Sequence, residues 1–180
     1  MDNVFRSLAA IIFLAFSHGV HADEKINMED VRKLAKLSVD EILANAPIEN
    51  FYIESYWKSV RDRNRPLVVF FYSNKHGPSQ RLATLIKYIS SDYKNKLAFG
   101  RVRVAEKGKP NKDMARMLEK SYSLDDTPGI LFYDNEGADM TLEDEDYIDA
   151  DFKEFRTPSM FLWKAYYKAV RKKLNKLLAD

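Results

Sequence analysis

Apolar residues crowd without a break from Leu67 to Tyr72, Leu-Val-Val-Phe-Phe-Tyr. A run this rich in Val and Phe predicts a strand buried on both faces. The polar turn His76-Gly77-Pro78-Ser79 follows, and then Leu82, Leu85, Ile86 and Ile89 recur at helical spacing. Proline suits the first turn of that helix, where its missing N–H costs nothing. Upstream, Val31, Leu34, Leu37, Val39, Ile42 and Leu43 predict a helix between Met28 and Ala46, with Asn27 as its N-cap and Pro47 as its stop. Phe51-Tyr52-Ile53 reads as a short strand, and Tyr56, Trp57 and Val60 as part of a helix from Glu54 to Asp62. A charged connector, Arg61 to Arg65, leads into the central run.

Beyond the central helix, Leu97 to Val104 predicts a strand whose alternation puts Arg101 and Arg103 on one face and Val102 and Val104 on the other. A turn cluster from Lys107 to Asn111 precedes a helix marked by Met114, Met117 and Leu118 and ending near Tyr122. Asp125-Asp126-Thr127-Pro128-Gly129 opens a further apolar strand, Ile130 to Tyr133. Asp134-Asn135-Glu136-Gly137 predicts a hairpin turn into a last strand. A dense acidic stretch from Glu143 to Asp151 separates this from a helix over Pro158 to Ala179. Trp163, Tyr167, Val170, Leu174, Leu177 and Leu178 form that helix's apolar stripe, and Lys164, Lys168, Arg171, Lys172 and Lys176 fill much of the remainder.

Strand, tight Gly-Pro turn and helix, followed at a distance by Thr-Pro before a second strand, resembles the active-site framework of the thioredoxin superfamily. In that family the turn reads Cys-Gly-Pro-Cys. Here His76 takes the place of the nucleophilic cysteine and Ser79 that of the resolving one. The family's proton-shuttling acid falls on Phe70 and the aromatic before its nucleophile on Lys75, so only Gly77, Pro78 and Pro128 match. The resemblance covers Phe51 to Gly137. It implies an α/β, thioredoxin-like fold: a central mixed β-sheet flanked by helices, here with an extra N-terminal helix and a long C-terminal helix. It also implies a cis bond before Pro128, facing the 76–79 turn; X-Pro bonds are the ones for which cis is cheap.

The cysteine count changes the picture most. It is zero, which excludes disulfides, thiolate metal sites and every thiol mechanism. A net charge of +2 argues against nucleic acid as a partner. Residues 1–22 have the form of an export signal: Arg6 near the start, an apolar core from Leu8 to Phe16 and small residues at Val20 and Ala22. That core is far short of the roughly 20 apolar residues needed to span a bilayer. The expected organisation is a signal peptide over 1–22, an N-terminal helical extension over 23–47 and the thioredoxin-like domain over 48–180, with an acidic loop at 139–154 and the last helix at 158–179. The expected compartment is periplasmic or secreted, with no stable membrane span once the signal is removed.

His76 and Ser79 are the residues with catalytic chemistry. A neutral imidazole beside a hydroxyl suits general-base work, yet no Gly-x-Ser-x-Gly motif supplies an oxyanion site; a polar turn filling vacated cysteine positions is the plainer reading. The acidic stretch carries oxygen ligands but lacks the glycine and spacing of an EF-hand, so no metal or other cofactor is expected. It reads instead as a solvated loop pairing with the basic C-terminal helix. What remains is a groove. Redox members of the family hold extended substrates beside the cis-proline, and the matching positions here are Tyr72, Lys75, His76, Gly77, Pro78, Ser79, Thr127 and Pro128. The sequence thus points to an exported, redox-inactive, non-enzymatic protein that binds another protein or an extended peptide as a chaperone, adaptor or assembly factor. Two alternatives are a non-thiol enzyme using His76 and Ser79, and a structural subunit of an envelope complex.

Overall fold

The computed structural model describes residues 26–122, 127–133 and 163–179. The helices are α1 (Met28–Leu34), α2 (Val39–Ile42), α3 (Tyr56–Arg61), α4 (Gly77–Tyr93), α5 (Lys112–Tyr122) and α6 (Trp163–Leu177). The strands are β1 (Glu49–Phe51), β2 (Leu67–Lys75), β3 (Ala98–Lys107) and β4 (Gly129–Tyr133), and a single 3-10 turn, Ile53–Ser55, precedes α3. The four strands form one mixed sheet in the order β1-β3-β2-β4. β3 runs parallel to both β1 and β2, and β4 runs antiparallel to β2. The expected hairpin at 134–137 with its last strand, the acidic loop, the signal and the first residues of the predicted C-terminal helix lie outside the described residues.

β2 is the middle of the molecule because it has no polar face until its end; all of Leu67 to Tyr72 is buried. Its alternate side chains feed two cores. Val68, Phe70 and Tyr72 join Phe99, Ile130 and Phe132 beneath α1, α2, α4 and α6. Leu67, Val69 and Phe71 join Val102, Val104, Leu131 and Tyr133 against Tyr56 and Val60 of α3 and Leu118 of α5. On that second side the Tyr56 and Tyr133 hydroxyls meet at 2.6 Å, so two buried phenols satisfy each other. Gly100 is required by β1: a Cβ there would stand 2.5 Å from the Phe51 ring.

The N-terminal extension differs from the expected single helix. It forms two short helices because Ser38 begins a second one with a capping box: Ser38 Oγ accepts the Glu41 N–H at 3.4 Å and the Glu41 carboxylate accepts the Ser38 N–H at 2.8 Å. Val31, Val39, Ile42 and Leu43 are all buried, so the extension is part of the core. Lys87 Nζ on α4 donates to the Ile42 carbonyl at 2.8 Å, which closes the α2 end. At the other end of the chain, α6 packs on α4 through Trp163, Tyr167, Val170 and Leu174. The Trp163 indole N–H donates to Thr84 Oγ1 at 2.8 Å, Tyr167 donates to Asp92, and Tyr93 donates to Asn175 Oδ1 at 2.6 Å.

Candidate functional site

β2 ends at Lys75, and His76 caps α4 in an extended conformation, φ −120° and ψ 120°, with Pro78 in the first turn of the helix. Those dihedrals let the chain leave the sheet and enter the helix without a loop. The turn therefore has little freedom. Ser79, the first turn's inward residue, is completely buried; its Oγ accepts the Ser73 N–H at 3.2 Å and lies 3.3 Å from His76 Nδ1. Ser73 Oγ lies 3.1 Å from Thr127 Oγ1. Thr127 and Pro128 are joined by a cis peptide bond, and both are buried at the mouth of β4. Ser73 is thus the link between the Gly-Pro turn and the Thr-Pro segment. Ser79, Thr127 and Pro128 come together around it. His76, Gly77 and Pro78 are half-buried at the rim, and Lys75 is exposed beside them.

Tyr72 lies on the other side of the strand. It is buried against the stacked ring of Phe70, 5.3 Å between centroids, and its hydroxyl donates to Asp40 Oδ1 of α2 at 2.5 Å. Burial first, and then the hydrogen bond and charge of Asp40, push the phenol well above its ordinary range. Asp40 also meets Arg103 Nη1 at 3.0 Å, and its backbone N–H donates to Asn74 Oδ1 at 3.0 Å. Arg101 Nη1 is buried 3.9 Å from Asp40 Oδ1, near enough for charge attraction and too far for a hydrogen bond. Asn74 Nδ2 reaches both Glu106 oxygens at 3.3 Å, and Glu106 pairs with Lys75 at 3.5 Å and Arg103 at 3.4 Å.

A register shift between β2 and β3 makes this charged cluster possible. Tyr72 faces Arg103, but Ser73 faces Ala105. The extra residue on β3 breaks the period of two, so Arg103 and Glu106, three apart, fall on one face. Leu37, 40% exposed, stands beside the turn because Gln80 Nε2 on the first turn of α4 donates to its carbonyl at 2.7 Å. The N-terminal extension is therefore fastened on both sides of the turn, at Asn74 before it and Gln80 after it.

Asp40, Ser73, Asn74, Gln80 and Glu106 escape the sequence reading, and Leu37 enters it only as an apolar position of the N-terminal helix. Arg101 and Arg103 on a core-facing side of a strand were the available signal that a carboxylate had to lie above them. As to chemistry, Ser79 as a nucleophile would need a path to substrate, and its side chain is fully enclosed with its oxygen already tied to β2. Among the described residues no three His, Asp or Glu side chains stand close enough to hold a metal ion. No described helix is long and apolar enough to cross a membrane.

No protein-family model and no curated protein matches the sequence. Among solved structures, that of Trichomonas vaginalis thioredoxin is similar, with 25% identity over 62% of this chain and 99% of its own and a TM-score of 0.43. The fold is thioredoxin-like: a mixed four-stranded sheet in the order β1-β3-β2-β4, helices on both faces, a Gly-Pro turn opening the helix after β2, and a cis Thr-Pro before β4. With no cysteine in the chain, it has no thiol-disulfide chemistry.

Proposed function

We propose that this chain is a cysteine-free member of the thioredoxin superfamily that is exported and binds an extended segment of another protein beside the Thr127-Pro128 bond. The observation that carries the reading is the Ser73 bridge, which ties the 76–79 turn to Thr127 through hydroxyls, with Ser79 standing where the redox members of the family place their resolving cysteine. Hydroxyls preserve the shape of the framework without its reactivity. The rim that results is a mix of half-buried His76, Gly77 and Pro78 with exposed Lys75 and Leu37. Such a rim suits recognition by strand pairing, in which main-chain hydrogen bonds supply affinity and neighbouring side chains supply selectivity. Chaperone, adaptor and assembly roles all fit this surface, and export agrees with the leader-like residues 1–22.

The test is a photo-crosslinker placed at Lys75 or His76 in the native compartment, with one at exposed Arg116 on α5 as control. Selective capture of one protein from the two rim positions, and not from Arg116, is the expected result. Equal and diffuse labelling from all three would reduce the turn to scaffold. Intact mass of the mature material should begin at Asp23; a full-length chain recovered from the cytosol would remove the export reading and leave the groove untouched.

A further inference from the structure

The end of the sheet where β2 and β3 begin carries an excess of positive charge. Two turns meet there, the connector after α3 and the turn after α4. Arg65 Nη1 donates to the Lys94 carbonyl at 2.7 Å and the Ala98 N–H to the Pro66 carbonyl at 2.8 Å, so the turns are held side by side. Residues 61–65 and 92–96 contain Arg61, Arg63, Arg65, Lys94 and Lys96 against Asp62 and Asp92. That excess of three is larger than the net charge of +2 for the whole chain, so the remainder of the chain is acidic by one. Cations steady the C-terminal ends of helices, and Arg65 does this for α4, whose C-cap is Lys94. Arg63 is engaged as well, bonded to the Val60 carbonyl and laid over the Tyr133 ring. Helix capping does not account for the rest. Arg61, Arg65, Lys94 and Lys96 are all exposed, and among the described residues none of them is in an ion pair. Of the two carboxylates, Asp92 already accepts the Tyr167 hydroxyl.

We infer that this basic end of the sheet is a docking surface for an anionic lipid membrane. It lacks the apolar centre that a protein interface is built on. The exposed large apolar side chains among the described residues are Leu37, Tyr52 and Trp57, and none lies in either turn. A partner held by charge alone must present many anions without matching a shape, and a lipid surface does so. Each lysine or arginine near such a surface strengthens binding about five-fold. Arg61, Arg65, Lys94 and Lys96 together supply about 100-fold once Asp62 is set against them. The choice of lipid over another polyanion rests on the export reading, which brings the chain to a membrane. The rim at 75–80 lies at the other end of β2, roughly 25 Å away at about 3.3 Å per residue. Docking by the basic end therefore turns the rim away from the membrane and leaves it open to a partner.

Co-sedimentation with vesicles tests this on the chain as isolated from its native compartment. At about 0.15 M salt, phosphatidylcholine vesicles with about one-third phosphatidylglycerol should bind it about 100-fold more tightly than phosphatidylcholine alone. At about 1 M salt, where the Debye length contracts to about 3 Å, the difference should vanish. An apolar leader retained on the chain would add equally to both vesicles and cancel in the ratio. Lys94→Glu/Lys96→Glu should bring the ratio close to one. Lys112→Glu/Arg116→Glu makes the same change of charge on exposed positions of α5, away from the two turns. It should lower the ratio by less than about three-fold, because charges beyond a Debye length of the surface are screened. Circular dichroism would show that both variants fold. A ratio near one for the unaltered chain would overturn the assignment, as would equal losses from the two variants. Tighter retention on polyglutamate than on vesicles of equal charge would assign the surface to an acidic protein and overturn it too. The rim cross-links and the intact mass are read independently of vesicle binding, so the groove and export readings fail or stand apart from this one.

Discussion

At the end of β2, neighbouring residues face two polar clusters of opposite character. Ser73 turns toward Ser79 and Thr127, three uncharged hydroxyl side chains, all buried, that hydrogen-bond to one another or to backbone. Tyr72 and Asn74 turn the other way, toward Asp40, Arg101, Arg103 and Glu106, a charged group that opens toward solvent except at the buried Arg101. The first joins the two ends of the thioredoxin-like framework; the second fastens an extension to it. Buried neutral groups are costly to disturb because each lost partner leaves a desolvated atom behind. Partly exposed charges are cheap to disturb because water replaces what is lost. The two clusters should therefore respond very differently to the same kind of change.

The largest effect is expected from Ser79→Ala, which leaves the buried Ser73 N–H without its acceptor. A loss of about 1–3 kcal/mol follows, read from the urea midpoint at unchanged slope. If the variant is as stable as the parent, the neutral cluster is not a structural joint and the contrast fails.

Asp40→Ala should cost about 1 kcal/mol, because the Tyr72 hydroxyl loses its acceptor and the buried Arg101 a nearby carboxylate, while Arg101 keeps its bond to Asn50 and Arg103, half exposed, returns to water. Amide exchange should quicken over Val39 to Leu43 and not along α4. Asp40→Asn keeps an oxygen in place for Tyr72 and should cost less. A larger effect for Asp40 than for Ser79 would reverse the ranking.

The alkaline limb separates the clusters by titration. Burial raises Tyr72, Tyr88 and Tyr93. Above the ordinary phenol value of about 10 the unfolded chain releases protons that the folded one retains, so stability present below that pH falls as pH rises. Asp40→Asn should lower the Tyr72 transition in a tyrosinate-absorbance titration, and Ser79→Ala should leave it in place. At the acid end, the Ser38 hydroxyl holds the exposed Glu41 below its usual range. Its small contribution is present above the ordinary glutamate value and fades as pH falls.

The smallest effect belongs to Lys75→Ala. The Lys75–Glu106 pair has both side chains about half exposed, and its loss should change stability by less than about 0.5 kcal/mol. Because the change is nearly silent in stability, it makes Lys75 a clean position for probing partner binding at the rim.

Much of this architecture follows from local pattern. The unbroken run in β2, the Gly-Pro helix start, the alternation of β3 and the stripe of Trp163, Tyr167, Val170 and Leu174 are each set by residues close together in the chain, where periodicity and turn chemistry act. The absence of cysteine settles the lack of thiol chemistry from composition alone. Even the break between α1 and α2 had a local sign in Ser38 and Glu41, although the apolar spacing running through it suggested one helix.

Tertiary structure alone decided what those elements hold between them. Asp40 has no local reason to meet Tyr72 or Arg103, since they lie 32 and 63 residues away. The register shift that brings Glu106 into the same group depends on how two strands pair, and neither strand's own sequence states it. Likewise Ser73 is an ordinary strand residue until the fold sets Ser79 and Thr127 on either side of it. A hydrogen bond depends on a fraction of an ångström between side chains far apart in sequence. Hydrophobic pattern specifies which face is buried, and only packing specifies which polar atoms meet there.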